Sequence, residues 1–142
     1  MKNLLSKHHI DFHVYSDNEA KYVHSVLVIN AIGFLSSVYQ YGSVAFIGGG
    51  FDNGIHNILE PTVFGLPVLF GPNYKKFNEA FDVIKLNAGF VIQNSGDLVQ
   101  HVKKLIEDHS LLNETSMRAK NYVQQNAGAT QKISQGLKLF LK

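Results

Sequence analysis

The sequence predicts an α/β fold: a Rossmann-like parallel sheet with helices on both faces, ending in a helical C-terminal segment. Three observations carry that expectation. Short apolar runs at Ser25–Ile29, Val44–Ile47 and Val68–Phe70 read as strands, the first as a buried strand and the second as one buried on both faces. Amphipathic stretches with helical spacing lie between and after them. Glycine, asparagine and proline punctuate the junctions, most densely at Gly48, Gly49 and Gly50. Strands alternating with helices imply parallel β-α units.

In order, Leu4 and Leu5 begin the chain inside a helical pattern, as a fragment of a longer protein would. Ile10–Tyr15 alternate loosely, as a strand, and Ser16–Glu19 form a polar loop. After the Ser25–Ile29 strand, residues 30–33 turn, and apolar positions 34, 35, 38 and 41 mark a short helix. Val44–Ile47 lead into the glycine run. A helix is expected to begin within Asn53–Asn57, with Ile55, Ile58, Leu59 and Thr62 on its apolar stripe. Val68–Phe70 close at Gly71 and Pro72. Phe77, Ala80, Phe81 and Ile84 mark a helix over Lys75–Asn87. Phe90–Ile92 form a short strand, and Asn94–Asp97 offer caps for the next helix. From Asp97 the pattern is helical to the end. One stripe holds Leu98, Val102, Leu105 and Ile106; a second holds Leu111, Leu112, Met117, Ala119 and Tyr122. A break at Asn126–Gly128 precedes a third, with Ile133, Leu137, Phe140 and Leu141.

The 142 residues are enough for one domain with a core, spanning 1–142. A net charge of +2 is too small to indicate nucleic-acid binding. There is no cysteine, hence no disulfide framework and no thiolate chemistry. No apolar run approaches the ~20 residues of a membrane span, and no signal peptide is visible. Among the seven histidines, His8, His9 and His13 are near one another, but that segment looks extended and no carboxylate cluster completes a ligand set. No metal site and no cofactor is expected.

The glycine run is the place to look for a ligand. Without side chains it admits positive φ and close approach to the main chain. Backbone N–H groups at a following helix start favour a phosphate, which makes Gly48, Gly49, Gly50 and His56 a possible phosphate loop. On a helix, His56, Asn57 and Glu60 share a face away from the apolar stripe. A carboxylate there accepts two ribose hydroxyls. A plainer reading fits the same residues: Asn57-x-x-Glu60 as a capping box, Pro61 in the first helical turn, the glycines as a tight turn. The run is no Walker A motif, has no G-x-G-x-x-G, and no G-x-S-x-G elbow occurs. Tyr39, Tyr41 and Phe51 can stack on a base or belong to the core.

The blocks Gly48-Gly49-Gly50-Phe51, Gly54-Ile55-His56-Asn57-Ile58-Leu59-Glu60-Pro61 and Gly65-Leu66-Pro67-Val68-Leu69-Phe70-Gly71-Pro72, the last continuing through Asn73-Tyr74-Lys75-Lys76-Phe77-Asn78-Glu79-Ala80, resemble the C-terminal half of the 3-deoxy-D-manno-octulosonic acid (Kdo) transferases. The resemblance runs roughly from Tyr15 onward and includes Ile29-Asn30-Ala31-Ile32-Gly33-Phe34-Leu35. It implies one half of a two-domain GT-B enzyme that moves Kdo from CMP-Kdo to a lipid A precursor in lipopolysaccharide biosynthesis. The intact enzyme would act at the cytoplasmic face of the bacterial inner membrane, on the membrane surface, with no nucleic-acid partner. Carried over by motif, Gly33, Phe34 and Leu35 line the cytidine site, while Asn57, Ile58, Leu59 and Glu60 hold the CMP, with Glu60 on the ribose. The catalytic base belongs to the N-terminal domain, so no catalytic residue is expected here, and the soluble fragment alone is expected to be inactive. Asn30 stands where the family usually has an acidic residue, and the family's upstream Pro-Arg pair has no counterpart. Three other readings fit the residues: a GT-B transferase using a UDP-sugar, an epimerase of that fold, or a non-catalytic nucleotide-binding module.

Overall fold

The computed structural model describes residues 2–15, 25–128 and 133–137, in two compact units divided between Val38 and Tyr39. The polar loop expected at Ser16–Glu19 and the apolar residues Phe140 and Leu141 lie outside the described residues.

In the first unit, helix α1 (Lys2–Lys7) is followed by β1 (Phe12–Tyr15) and β2 (Val26–Ile29). The two strands pair in parallel, Phe12 opposite Val26 and Tyr15 opposite Ile29. The apolar run of β2 predicts a buried strand, yet Leu27 is 55% exposed. Helix α2 (Leu35–Tyr39) begins in this unit after Gly33, whose φ of +91° is open only to glycine at low cost.

The second unit carries the core. Strands β3 (Ala45–Ile47), β4 (Val68–Phe70) and β5 (Gly89–Val91) form a parallel sheet in the order β3-β4-β5. Helices α3 (Leu59–Val63) and α4 (Asn78–Lys85) connect them, and α5 (Ser95–Glu107) and α6 (His109–Asn126) follow. Side chains alternate along β4. Val68 and Phe70 join Val83, Ala119 and Tyr122 on one face; Leu69 joins Ile92 and Leu105 on the other. Helices therefore cover both faces. All three β4 residues are fully buried, which is why the strand reads as an unbroken apolar run.

The caps legible in the sequence form as expected at α5. Asn94 Oδ1 accepts from the Asp97 backbone N–H at 3.0 Å, and Asp97 Oδ2 accepts from the Gln93 N–H at 2.9 Å. The long C-terminal helical pattern is divided at Asp108. Its carboxylate accepts from the Leu111 N–H at 2.9 Å and starts a new helix, a second cap the apolar periodicity does not reveal. Two members of the expected stripes face solvent, Ile106 at 54% and Met117 at 61% exposure. Thr115 is buried in their stead, its hydroxyl satisfied by the Leu111 carbonyl at 2.7 Å. Residues 133–137 are helical as predicted, with Ile133 and Leu137 exposed.

Tyr122 ties α6 to α4. Its hydroxyl donates to Asp82 Oδ2 at 2.9 Å, and burial together with that bond pushes the phenol up to about 12. An unfolded tyrosine ionises near 10. The raised value therefore stabilises the fold fully below pH 10, and the contribution is lost as pH rises through about 12. Tyr122→Phe should cost about 1 kcal/mol at neutral pH. Urea denaturation of both proteins should show that gap narrowing above pH 10; a gap independent of pH would assign the loss to packing alone.

Candidate functional site

The candidate residues of the second unit gather at the carboxyl ends of β3 and β4, where ligands of open α/β sheets sit. The chain leaves Ile47 into Gly48, Gly49 and Gly50, with Gly49 at φ +83° and Gly54 at φ +128°. The loop bonds to itself. Gly49 O accepts from the N–H of Asp52 (3.0 Å) and of Gly54 (3.1 Å), and Gly48 O accepts from the N–H of His56 (3.1 Å). It also bonds to the loop after β4. Asn73 donates its N–H to Gly50 O (2.9 Å) and its Nδ2 to Asp52 O (2.8 Å).

The glycines have a structural use that the sequence does not distinguish from ligand approach. A Cβ on Gly50 would stand 2.5 Å from the Gly71 nitrogen. A Cβ on Gly49 would collide with the Gly54 carbonyl. Both make room for the protein's own backbone. Gly48 differs: it is exposed, and a Cβ there would meet only the His56 imidazole, at 3.3 Å. Of the possible phosphate loop, Gly48 and His56 are the two exposed members.

The helix expected to begin within Asn53–Asn57 starts later, at Leu59. Ile55 and Ile58 are still buried, at 3% exposure each, although both precede the first helical residue. Asn57 organises this turn. Its Oδ1 accepts from the Leu59 N–H at 2.9 Å, and its Nδ2 donates to Glu60 Oε1 at 2.9 Å. The second bond differs from a capping box, in which Glu60 would reach the Asn57 backbone N–H. Here side chain holds side chain, and the carboxylate is oriented by an amide. With residues 54–57 outside any helix, the His56–Glu60 pairing expected at helical spacing has no helical basis. Pro61 sits in the first turn, where its missing N–H is no loss, and Thr62 Oγ1 donates to Ile58 O at 2.6 Å. Ile58 is core and offers a ligand only its backbone; Leu59 is half-buried.

Two further features belong to this unit. Tyr39 packs against Phe64, ring centroids 6.3 Å apart, and burial and the Glu60 carboxylate hold its phenol above the ordinary tyrosine value. The core reading fits Tyr39; Tyr41 at 83% and Phe51 at 49% exposure are surface residues. The second feature is a groove of ≈ 510 Å³ lined by Asp52, Asn53, Pro72, Asn73, Lys75 and Lys76. Its signal in the sequence is position: these residues lie in the loops that follow β3 and β4.

Gly33, Phe34 and Leu35 lie in the first unit, Phe34 at 42% and Leu35 at 57% exposure, with Phe34 packed on Tyr15 at 5.5 Å between centroids. His9 has φ +53° in a turn and His13 lies on β1. Among the described residues no three His, Asp or Glu side chains gather to hold a metal, and no helix is long and apolar enough to cross a membrane.

No protein-family model matches the chain. It is 39% identical over 83 residues to the 3-deoxy-D-manno-octulosonic acid transferase of Aquifex aeolicus, covering 57% of this chain and 24% of that enzyme. It is 30% identical over 129 residues to the transferase of Chlamydia muridarum, covering 89% of this chain and 30% of that enzyme. The chain thus spans less than a third of these curated relatives. Its fold matches the crystal structure of the C-terminal CMP-Kdo binding domain of WaaA from Acinetobacter baumannii. The TM-score is 0.76 at 24% identity, over 87% of this chain and 66% of that one. The resemblance read from the glycine and Asn57–Glu60 blocks is therefore borne out, as is the parallel α/β fold.

Proposed function

We propose that this chain, homologous to part of the Kdo transferases, is the donor-binding half of a glycosyltransferase that moves Kdo from CMP-Kdo to a lipid A precursor. The intact GT-B enzyme would work at the cytoplasmic face of the bacterial inner membrane, in lipopolysaccharide biosynthesis. One observation carries the reading furthest: the Glu60 carboxylate, held at 2.9 Å by Asn57 beyond the carboxyl end of β3. A carboxylate fixed there is a ready acceptor for the two hydroxyls of a ribose.

In this reading Asn57 orients Glu60, Glu60 takes the ribose, and the backbone of Ile58 and Leu59 borders the nucleotide. Gly33, Phe34 and Leu35 contribute the cytidine contacts that the family resemblance assigns them. The leaving group is a monophosphate, whose developing charge fixed hydrogen-bond donors can meet without the metal that a diphosphate commonly needs. The base that deprotonates the acceptor hydroxyl belongs to the acceptor domain, so the present chain binds donor without turning it over.

Calorimetric titration tests this directly. CMP should bind, and UDP should bind no tighter than UMP, because no second phosphate subsite is required. UDP binding tighter than CMP would move the reading to a UDP-sugar enzyme; Kdo transfer by this chain alone would overturn the division of labour.

A further inference from the structure

The groove at the strand ends contains chemistry that the nucleotide reading leaves unused. In the loops after β3 and β4 the Lys and Arg side chains are Lys75 and Lys76, and both line it. Among the described residues neither forms an ion pair, and nor does Asp52, the carboxylate on the same wall. Two ammonium groups against one carboxylate leave the groove with a surplus positive charge. Asn53 and Asn73 add amides. The floor is fixed in advance: Asn73 bonds Gly50 O and Asp52 O, and the Gly50 and Gly71 backbones abut. A ligand arriving there does not have to order the loops, which lowers the cost of binding.

We propose that this groove is an oxyanion subsite for the donor, its ligand a phosphate or a sugar carboxylate. The source of the anion rests on the donor-binding reading; the affinity for an oxyanion does not. The lysines are exposed, so the attraction is screened and weakens with salt. Asp52 opposes it, which sets an affinity below what the lysines alone would give.

The test is amide NMR of the 15N-labelled chain, titrated at constant ionic strength with inorganic phosphate, CMP, cytidine and free Kdo. Phosphate should shift the amides of Asn53, Asn73, Lys75 and Lys76. A K75Q/K76Q double variant should weaken that binding roughly five- to tenfold, and D52N should strengthen it roughly two- to fivefold. Opposite changes from residues of opposite charge distinguish an electrostatic subsite from a structural role. CMP shifting these amides where cytidine does not assigns the subsite to the phosphate; free Kdo shifting them where CMP does not assigns it to the carboxylate. Equal phosphate affinity in wild type and double variant, or no shift of the groove amides by any anion, overturns the subsite. Cytidine and CMP leaving Asn57 and Glu60 unmoved while phosphate shifts the groove would sink the nucleotide reading and leave the subsite standing.

Discussion

Gly50→Ala should destabilise the second unit by about 3 kcal/mol or more, the upper end for overpacking a well-packed site. Gly50 is buried, and the added methyl would stand 2.5 Å from the Gly71 nitrogen and 2.8 Å from its Cα. Those are main-chain atoms between the ends of β3 and β4, with no rotamer to yield. Gly71→Ala makes the same clash from the other side, its Cβ 2.5 Å from the Gly50 carbonyl carbon. Because one separation is relieved in both cases, the double variant should lose less than the sum of the singles. For a chain of this length the expected fall in Tm is roughly 6–12 °C. Gly136→Ala is the control: a Cβ there meets nothing within 4 Å, and the position lies in the helical residues 133–137. It should be neutral or stabilising by up to ~1 kcal/mol. Melting temperatures of Gly50→Ala and Gly71→Ala equal to that of the wild type would show that the two loops are not in backbone contact in solution. Gly49→Val is a poor probe of ligand binding for the same reason, since φ +83° and the Gly54 carbonyl make it a folding variant first.

These glycines also mark what a sequence can and cannot say. The strand β4 was legible because Val68, Leu69 and Phe70 are all apolar, and two covered faces leave no other pattern. The burial of Ile55, Ile58 and Thr62 was legible too, from their spacing. The backbone beneath the first two was not. A spacing of three and four residues fits a helix, yet here Ile55 lies before the turn and Ile58 at the helix N-cap, and what decides it is the Asn57 side chain taking the Leu59 N–H. Asp108 repeats the lesson at the α5–α6 junction. Apolar periodicity runs past it, while a single carboxylate ends one helix and caps the next. For the site, the Asn57–Glu60 pair was visible as a motif, but its geometry was open between a capping box and an oriented acid. Lys75 and Lys76 stood inside the block that resembles the family, but the groove they line was not legible, because it joins two loops about twenty residues apart, through Asn73 and Asp52. The packing of Gly50 on Gly71 and the two Asn73 hydrogen bonds bring those loops together.

The role of Glu60 is open to a test in which charge and geometry separate. Glu60→Gln keeps an Oε1 that accepts from Asn57 Nδ2, so the turn and the α3 start should survive. What is lost is the charge and the second acceptor. If the carboxylate takes both ribose hydroxyls, CMP affinity should fall about tenfold or more, the difference between charge-assisted and neutral hydrogen bonds. The sugar itself provides the second axis. Wild type should bind CMP markedly tighter than 2′-deoxy-CMP, and Glu60→Gln should bind the two nearly alike, because the group that reads the 2′-hydroxyl is gone. Tyr39 reports on the same substitution without any ligand. Burial and then Glu60 raise its phenol, so removing the Glu60 charge should lower that value partway and leave the part due to burial. Ultraviolet titration of the tyrosines in both proteins tracks this change. A Tyr39 shift with no change in CMP affinity would leave Glu60 an electrostatic neighbour of the core and nothing more. Loss of affinity together with loss of 2′-hydroxyl discrimination ties the Asn57–Glu60 turn to the ribose, since a merely structural glutamate would weaken both nucleotides by the same factor.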